Sequence, residues 1–118
     1  MITREFAEHF ASEWIAAWNA HDLSAVLSHY SDDFEMSSPF IVQISGEPSG
    51  TLKGKAEVRA YWRTALAKIA DLRFELLEVC VGVNSIALYY NAVLGKRAVE
   101  WFWFDESGKV TRAIAHYN

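Results

Sequence analysis

From Phe6 to Trp18, apolar side chains return every three or four positions: Phe6, Ala7, Phe10, Ala11, Trp14, Ile15 and Trp18. That spacing lays one wide apolar stripe along a helix and predicts it over about Thr3 to Ala20. Thr3 is placed to cap it, and Glu5 and Glu8 lie near the positive end of its dipole. Asp22 then caps a short second helix whose Leu23, Val26, Leu27 and Tyr30 share a face. Ser31-Asp32-Asp33 reads as a turn, Phe34 to Val42 as extended chain broken at Pro39, and Ser45 to Gly54 as a loop. The third helix has the clearest periodicity. Val58, Tyr61, Trp62, Ala65, Leu66 and Ile69 fall on one face, while Arg59, Arg63 and Lys68 lie elsewhere.

After Asp71 the pattern turns to strands, over about 73–81, 86–94, 97–104 and 110–117, separated by short turn segments. Three helices followed by a four-stranded antiparallel meander predict a single α+β domain over residues 1–118. Gly95-Lys96 reads as a two-residue hairpin loop, which pairs Asn91 with Glu100, Tyr90 with Trp101 and Tyr89 with Phe102. A four-residue turn at 105–108 then pairs Glu100 with Ala113 and Trp101 with Arg112. Opposed side chains share a face. One face therefore carries Tyr89, Asn91, Glu100, Phe102, Ala113, Ala115 and Tyr117. The other carries Tyr90, Trp101, Trp103, Arg112, Ile114 and His116. The first suits a cavity, with a Glu and an Asn among aromatics and small alanines. The second is too apolar for a bare surface, and a two-fold partner covers it most simply. Loops or the first helix are the alternative cover.

Composition narrows the function classes. Five Trp, five Tyr and seven Phe in a chain that is 52% hydrophobic exclude disorder. A net charge of −4 argues against a nucleic-acid surface. No apolar run is long enough to span a membrane, and no basic-then-apolar leader pattern is present, so a cytoplasmic setting is expected. Cys80 stands alone and reads as a small buried apolar residue.

The motifs Trp18-Asn19-Ala20-His21-Asp22-Leu23, Tyr30-Ser31-Asp32-Asp33-Phe34, Gly54 leading into Val58-Arg59-Ala60-Tyr61-Trp62, and Phe102-Trp103-Phe104-Asp105 with Gly108-Lys109-Val110 resemble the nuclear transport factor 2-like superfamily, in its SnoaL-like and ketosteroid isomerase-like branch. The resemblance covers essentially the whole chain. It implies a cone-shaped fold, with three N-terminal helices packed on a curved antiparallel sheet, a pocket inside, and a convex face used for dimers. Ketosteroid isomerase-like enzymes use a carboxylate base, a tyrosine and a protonated carboxyl. The resemblance sets Ser38 at the base position, Trp14 at the phenol position and Glu100 at the third. A serine without a neighbouring base does not abstract a proton at neutral pH, so isomerisation by that route is not expected. SnoaL-like cyclases use a meander Asp and His; here His116 and Asn118 are the nearest, with His116 on the convex side.

Glu100 is the sharpest catalytic candidate, because burial among aromatics raises a carboxyl's pKa toward neutrality. Asn91 beside it is placed to orient it or to bind a ligand carbonyl. The other reading is a buried Glu satisfied by Asn91 or a tyrosine hydroxyl, without catalysis. Trp14, Trp18, Ser38, Tyr61, Trp62, Phe102 and Tyr117 are the candidate ligand-binding residues, although aromatics at helical spacing also serve as plain core. Asp32 and Asp33 read as turn residues rather than a metal pair, and His9, His21 and His29 as solvated; no metal or cofactor is expected. The expected ligand is small and apolar or polycyclic. The expected activity is that of an isomerase, cyclase or hydratase using the pocket carboxyl, and the alternative is a non-catalytic binding or dimerisation module.

Overall fold

Thr3 starts the first helix with its hydroxyl: Oγ1 accepts from the Phe6 backbone N–H at 3.0 Å. In the computed structural model, which describes residues 1–118, this helix, α1, runs Arg4–Asn19 and buries Ala7, Phe10, Ala11, Trp14, Ala17 and Trp18. It stops where His21 turns left-handed at φ 56, and the Asp22 N–H reaches back to the Ala17 carbonyl at 3.0 Å. Asp22 then caps α2 (Leu23–Leu27), accepting from the Ala25 N–H at 3.1 Å. The polar residues of the Trp18–Asp22 motif also position a distant segment. Asn19 donates to the Phe74 carbonyl at 2.9 Å and accepts from the Phe74 N–H at 2.7 Å. A ring nitrogen of His21 lies 2.8 Å from the Leu72 carbonyl. Leu72 and Phe74 are thereby fixed against α1, facing inward.

Two elements were not anticipated. The chain at Pro39 does not stay extended; it begins a helix, α3 (Pro39–Ser45). Ser38 caps it, Pro39 occupies the first turn where its missing N–H costs nothing, and Gly46 closes it at φ 76. Ser31–Asp33 is not a turn but part of strand β1 (Tyr30–Ser37), and β2 (Thr51–Lys53) lies within the expected loop. The third expected helix is α4 (Lys55–Lys68), followed by β3 (Glu75–Val81), β4 (Ser85–Asn91), β5 (Arg97–Phe104) and β6 (Val110–Tyr117). All six strands form one curved, open sheet in the order β2-β1-β6-β5-β4-β3. Every pairing is antiparallel except β1 with β6. The helices pack on one face of this sheet, as expected for the α+β class. No helix is long and apolar enough to cross a membrane.

The β4–β5 register differs from the expected one, and the difference moves two candidate residues. Leu88, not Asn91, lies opposite Glu100, and Tyr90 lies opposite Ala98. The tight turn centres on Leu94-Gly95, both with positive φ (57 and 70), and Lys96 N–H bonds the Val93 carbonyl at 3.0 Å. Ala92 N–H bonds the Lys96 carbonyl at 2.8 Å, so two residues of one strand face a single residue of the other, a bulge. The turn displaced by one residue moves the register by two, and the bulge adds a third. An odd slip exchanges the faces of a strand. Tyr90 therefore points inward, 1% exposed, rather than to the convex face, and Asn91 points outward. The β5–β6 register is displaced by two, with Glu100 opposite Ala115 and Trp101 opposite Ile114, so those faces are as expected.

Candidate functional site

The bottom of the site is the inner row of β5 and β6. Glu100 is 2% exposed and lies opposite Ala115. Tyr90, from β4, donates its hydroxyl to Glu100 Oε1 at 2.8 Å. Glu100 Oε2 has no hydrogen-bond partner. Glu100 is the sole ionisable acid or base, other than tyrosine, among the sixteen residues lining the cavity. With no cation to offset desolvation, burial pushes its carboxyl up to about 7, and the Tyr90 hydrogen bond opposes that rise. A carboxyl held there exchanges a proton near neutral pH.

The walls are aromatic. Trp14 and Trp18 descend from α1, and Tyr61 and Trp62 stand on α4. Phe74 and Leu72 come from the segment clamped by Asn19 and His21, and Tyr117 closes the end of β6. Trp14 stacks on Phe74 (5.6 Å between centroids, 17°) and meets Tyr90 edge-on at 5.3 Å. Its indole N–H is spent on the Tyr30 hydroxyl at 2.9 Å. Trp18 meets Trp62 edge-on at 5.0 Å, and its Nε1 has no partner. Burial holds the Tyr61 phenol up to about 12 and raises those of Tyr30, Tyr90 and Tyr117, with the Glu100 carboxyl adding to each; all four stay neutral. The Ser38 hydroxyl lines the cavity while its oxygen accepts from the Phe40 N–H at 3.2 Å, capping α3.

The cavity measures about 50 Å³. A site lined by Leu, Ile and Phe that admits benzene has about 150 Å³, so the cavity in this conformation is too small for a ring. Two of its lining side chains, Ile44 and Tyr61, also line a surface groove with Leu52, Ala60 and Thr64. They form the wall between inside and outside.

Of the residues singled out from sequence, Glu100, Trp14, Trp18, Ser38, Tyr61, Trp62 and Tyr117 converge on this cavity. Asn91 does not: it faces the other side of the sheet and donates to Glu75 at 2.7 Å. Phe102 is fully buried behind the cavity, edge-on to Phe10 and Trp14. The residue sequence reasoning missed is Tyr90, hidden by the bulge. Ile44 was missed with α3, although Ser38-Pro39 followed by apolar Phe40, Ile41 and Ile44 and then Gly46 carries a cap-and-stop signal. Cys80, expected inside, is exposed on β3. Asp32 is exposed, 3.7 Å from Lys55. No three His, Cys, Asp or Glu side chains are grouped to hold a metal ion.

On the outer face, Trp101 is 44% exposed and stacks on Trp103 (6.0 Å, 29°), with the Arg112 guanidinium 5.4 Å from the Trp103 ring centre. Ile114 is half-buried there and His116 is exposed.

The SnoaL-like domain family matches residues 11–113. A SnoaL-like protein of unknown function from Burkholderia thailandensis E264 is 56% identical, over 99% of this chain and 98% of that one, with a TM-score of 0.96. AclR, a putative hydroxylase from Streptomyces galilaeus, is 20% identical over 98% of this chain and 81% of its own, with a TM-score of 0.76. IdmH, a putative polyketide cyclase from Streptomyces antibioticus, is 12% identical over 95% and 91%, with a TM-score of 0.78. The last two likenesses show the fold alone. No curated protein matches the chain.

Proposed function

We propose, from the premise that the chain belongs to the SnoaL-like domain family, that it binds a small, largely apolar molecule and moves a proton on it with Glu100. The observation that carries this is the carboxyl itself: one oxygen held by Tyr90, the other without a partner, in a cavity whose remaining lining is almost wholly apolar. Protonated, Glu100 donates from Oε2 to a substrate oxygen, and Tyr90 stabilises the carboxylate left behind. Ionised, the same oxygen takes a proton from carbon or from an attacking hydroxyl. Either direction serves isomerisation, cyclisation or hydration, and fold neighbours include a putative polyketide cyclase. The two other positions the family resemblance emphasises are occupied structurally, since Ser38 caps α3 and Trp14 gives its N–H to Tyr30. Glu100 therefore works with Tyr90 as its positioning residue and without a second base.

The same reading has two chains meet through the convex face, with Trp101, Trp103, Arg112, Ile114 and His116 in the contact. The exposed Trp101 indole, stacked on the half-buried Trp103, supports it.

A second reading, a non-catalytic binding module, is favoured by the small cavity and the single proton-exchanging group. One experiment separates the two. A panel of enones and hydroxyketones is screened by NMR for isomerisation, cyclisation or hydration, and any active compound is tested with Glu100→Gln. The enzyme reading expects turnover to fall about 10²–10⁴-fold, with binding retained within a few-fold. Undiminished turnover in the variant removes Glu100 from the chemistry, and compounds that bind without ever reacting leave the binding module.

A further inference from the structure

Trp18 is held as firmly as any core residue, yet its polar atom is unused. It is 5% exposed, edge-on to Trp62, and lines the cavity that Glu100 faces. Its Nε1–H and Glu100 Oε2 are the two buried side-chain polar atoms of the chain without a partner, and both belong to this cavity. A buried donor or acceptor left without a partner weighs against the folded state. Trp14, one helical turn earlier, shows the alternative, with its own N–H given to Tyr30.

The two free atoms reach the cavity from different layers of the fold, Trp18 from α1 and Glu100 from β5. Trp14 packs edge-on against both Trp18, at 6.3 Å, and Tyr90, the donor to Glu100, at 5.3 Å. Their chemistry differs too. An indole N–H only donates, so it suits an oxygen that has no proton of its own to place. A carboxyl that exchanges its proton near neutrality suits a hydroxyl, accepting from it when ionised and donating to it when protonated.

We propose that Trp18 is the second polar anchor of the site and selects a ligand carbonyl, so that the bound molecule is an unsaturated ring compound carrying a carbonyl oxygen at the Trp18 end and a hydroxyl at the Glu100 end. This rests on the reading of the cavity as a ligand site and adds the ligand's class and the residue that selects it. A ring exceeds the cavity as it stands, so it enters as Ile44 and Tyr61 give way toward the outer groove.

The test uses two compounds of one shape, 4-hydroxyacetophenone and 4-ethylphenol, which differ in the carbonyl oxygen. Affinities are measured by titration calorimetry on the full chain, on Trp18→Phe and on Glu100→Leu. The wild type is expected to prefer the ketone by up to about tenfold, the worth of one hydrogen bond. Trp18→Phe is expected to bind both compounds alike, because any change in cavity volume affects the pair equally. A ketone preference that survives in Trp18→Phe, or none in the wild type, overturns the proposal. If Glu100→Leu, whose side chain forms no hydrogen bond, leaves both affinities unchanged, the phenols are not in this cavity and the ligand-site reading itself falls. Should Trp18→Phe fail to fold, NMR on the wild type decides. The Trp18 indole N–H resonance, assigned through its contacts to Trp62, moves downfield with the ketone and not with the ethylphenol. No such difference overturns the assignment.

Discussion

Glu100 and Trp101 are consecutive residues of β5, and the sheet sends them to opposite environments. The carboxyl lies 2% exposed beneath four neutral phenols, while the indole beside it is 44% exposed. Composition alone would assign them the other way round. The strand's period of two overrides side-chain preference, so each face carries one misfit: an acid where water is excluded, and a large aromatic where it is not. Burying the acid costs folding free energy, and its retention inside directs attention to proton chemistry. The exposed Trp101 indole and the half-buried Trp103 stacked on it are a surface that gains by being covered.

The comparison is broken most directly by truncating neighbours on the two faces. Phe102→Ala empties a fully buried site among Phe10 and Trp14 and is expected to cost about 3–5 kcal/mol. Trp101→Ala removes a larger ring, yet in dilute protein is expected to cost less than about 1 kcal/mol. Urea unfolding at low concentration measures both. Equal costs would mean that the outer indoles are part of the core and the two-sided account is wrong.

Next in size is the pH dependence of stability. The Glu100 carboxyl sits at about 7 in the folded protein against an ordinary 4.5. The folded state therefore binds more protons than the unfolded chain between those values. Stability from this group is complete below about pH 4.5 and is lost as pH rises through about 7, by about 3 kcal/mol in all. Glu100→Gln is expected to flatten that slope. Tyr90→Phe removes the hydrogen bond that opposes the upward shift, so it is expected to move the window to higher pH. Denaturant melts from pH 4 to 8.5 check all three proteins. An unchanged slope in Glu100→Gln would assign the dependence to other groups.

The inner face was legible in unequal parts. The pattern of β5 and β6 gave their faces correctly, because the β5–β6 register was misplaced by two, an even number that leaves every side chain on its side. In β4 the single extra residue at Ala92-Val93 exchanged Tyr90 and Asn91. Nothing local announces the turn that precedes β5 or the bulge beside it, since the turn sets Leu94, an ordinary L-residue, in the left-handed region that glycine normally fills. Glu100 could thus be found from sequence, while the phenol that holds it could not. The helix at Pro39 was hidden differently: a proline that often ends extended chain here starts a helix, and the preceding serine that caps it distinguishes the two.

The smallest expected effect on the fold belongs to the outer face, and it is the most informative about assembly. Trp101→Glu sets a charge between Ala87 and Ile114, its cross-strand neighbours, without touching the inner row. If two chains meet there, wild-type protein sediments at micromolar concentration at twice the mass of one chain, and the variant at the mass of one. The separated variant is expected to keep its far-UV circular dichroism, with unfolding free energy per chain within about 0.5 kcal/mol of dilute wild type. Because Glu100 and its cavity are completed within a single chain, it also keeps its affinity for 4-hydroxyacetophenone. A variant that remains dimeric would place the contact elsewhere, and a wild type that is monomeric would leave the indole pair needing another cover. A variant that dissociates and also loses the ligand would join the two faces that the sheet otherwise keeps apart, because the outer contact would then be shaping the inner cavity.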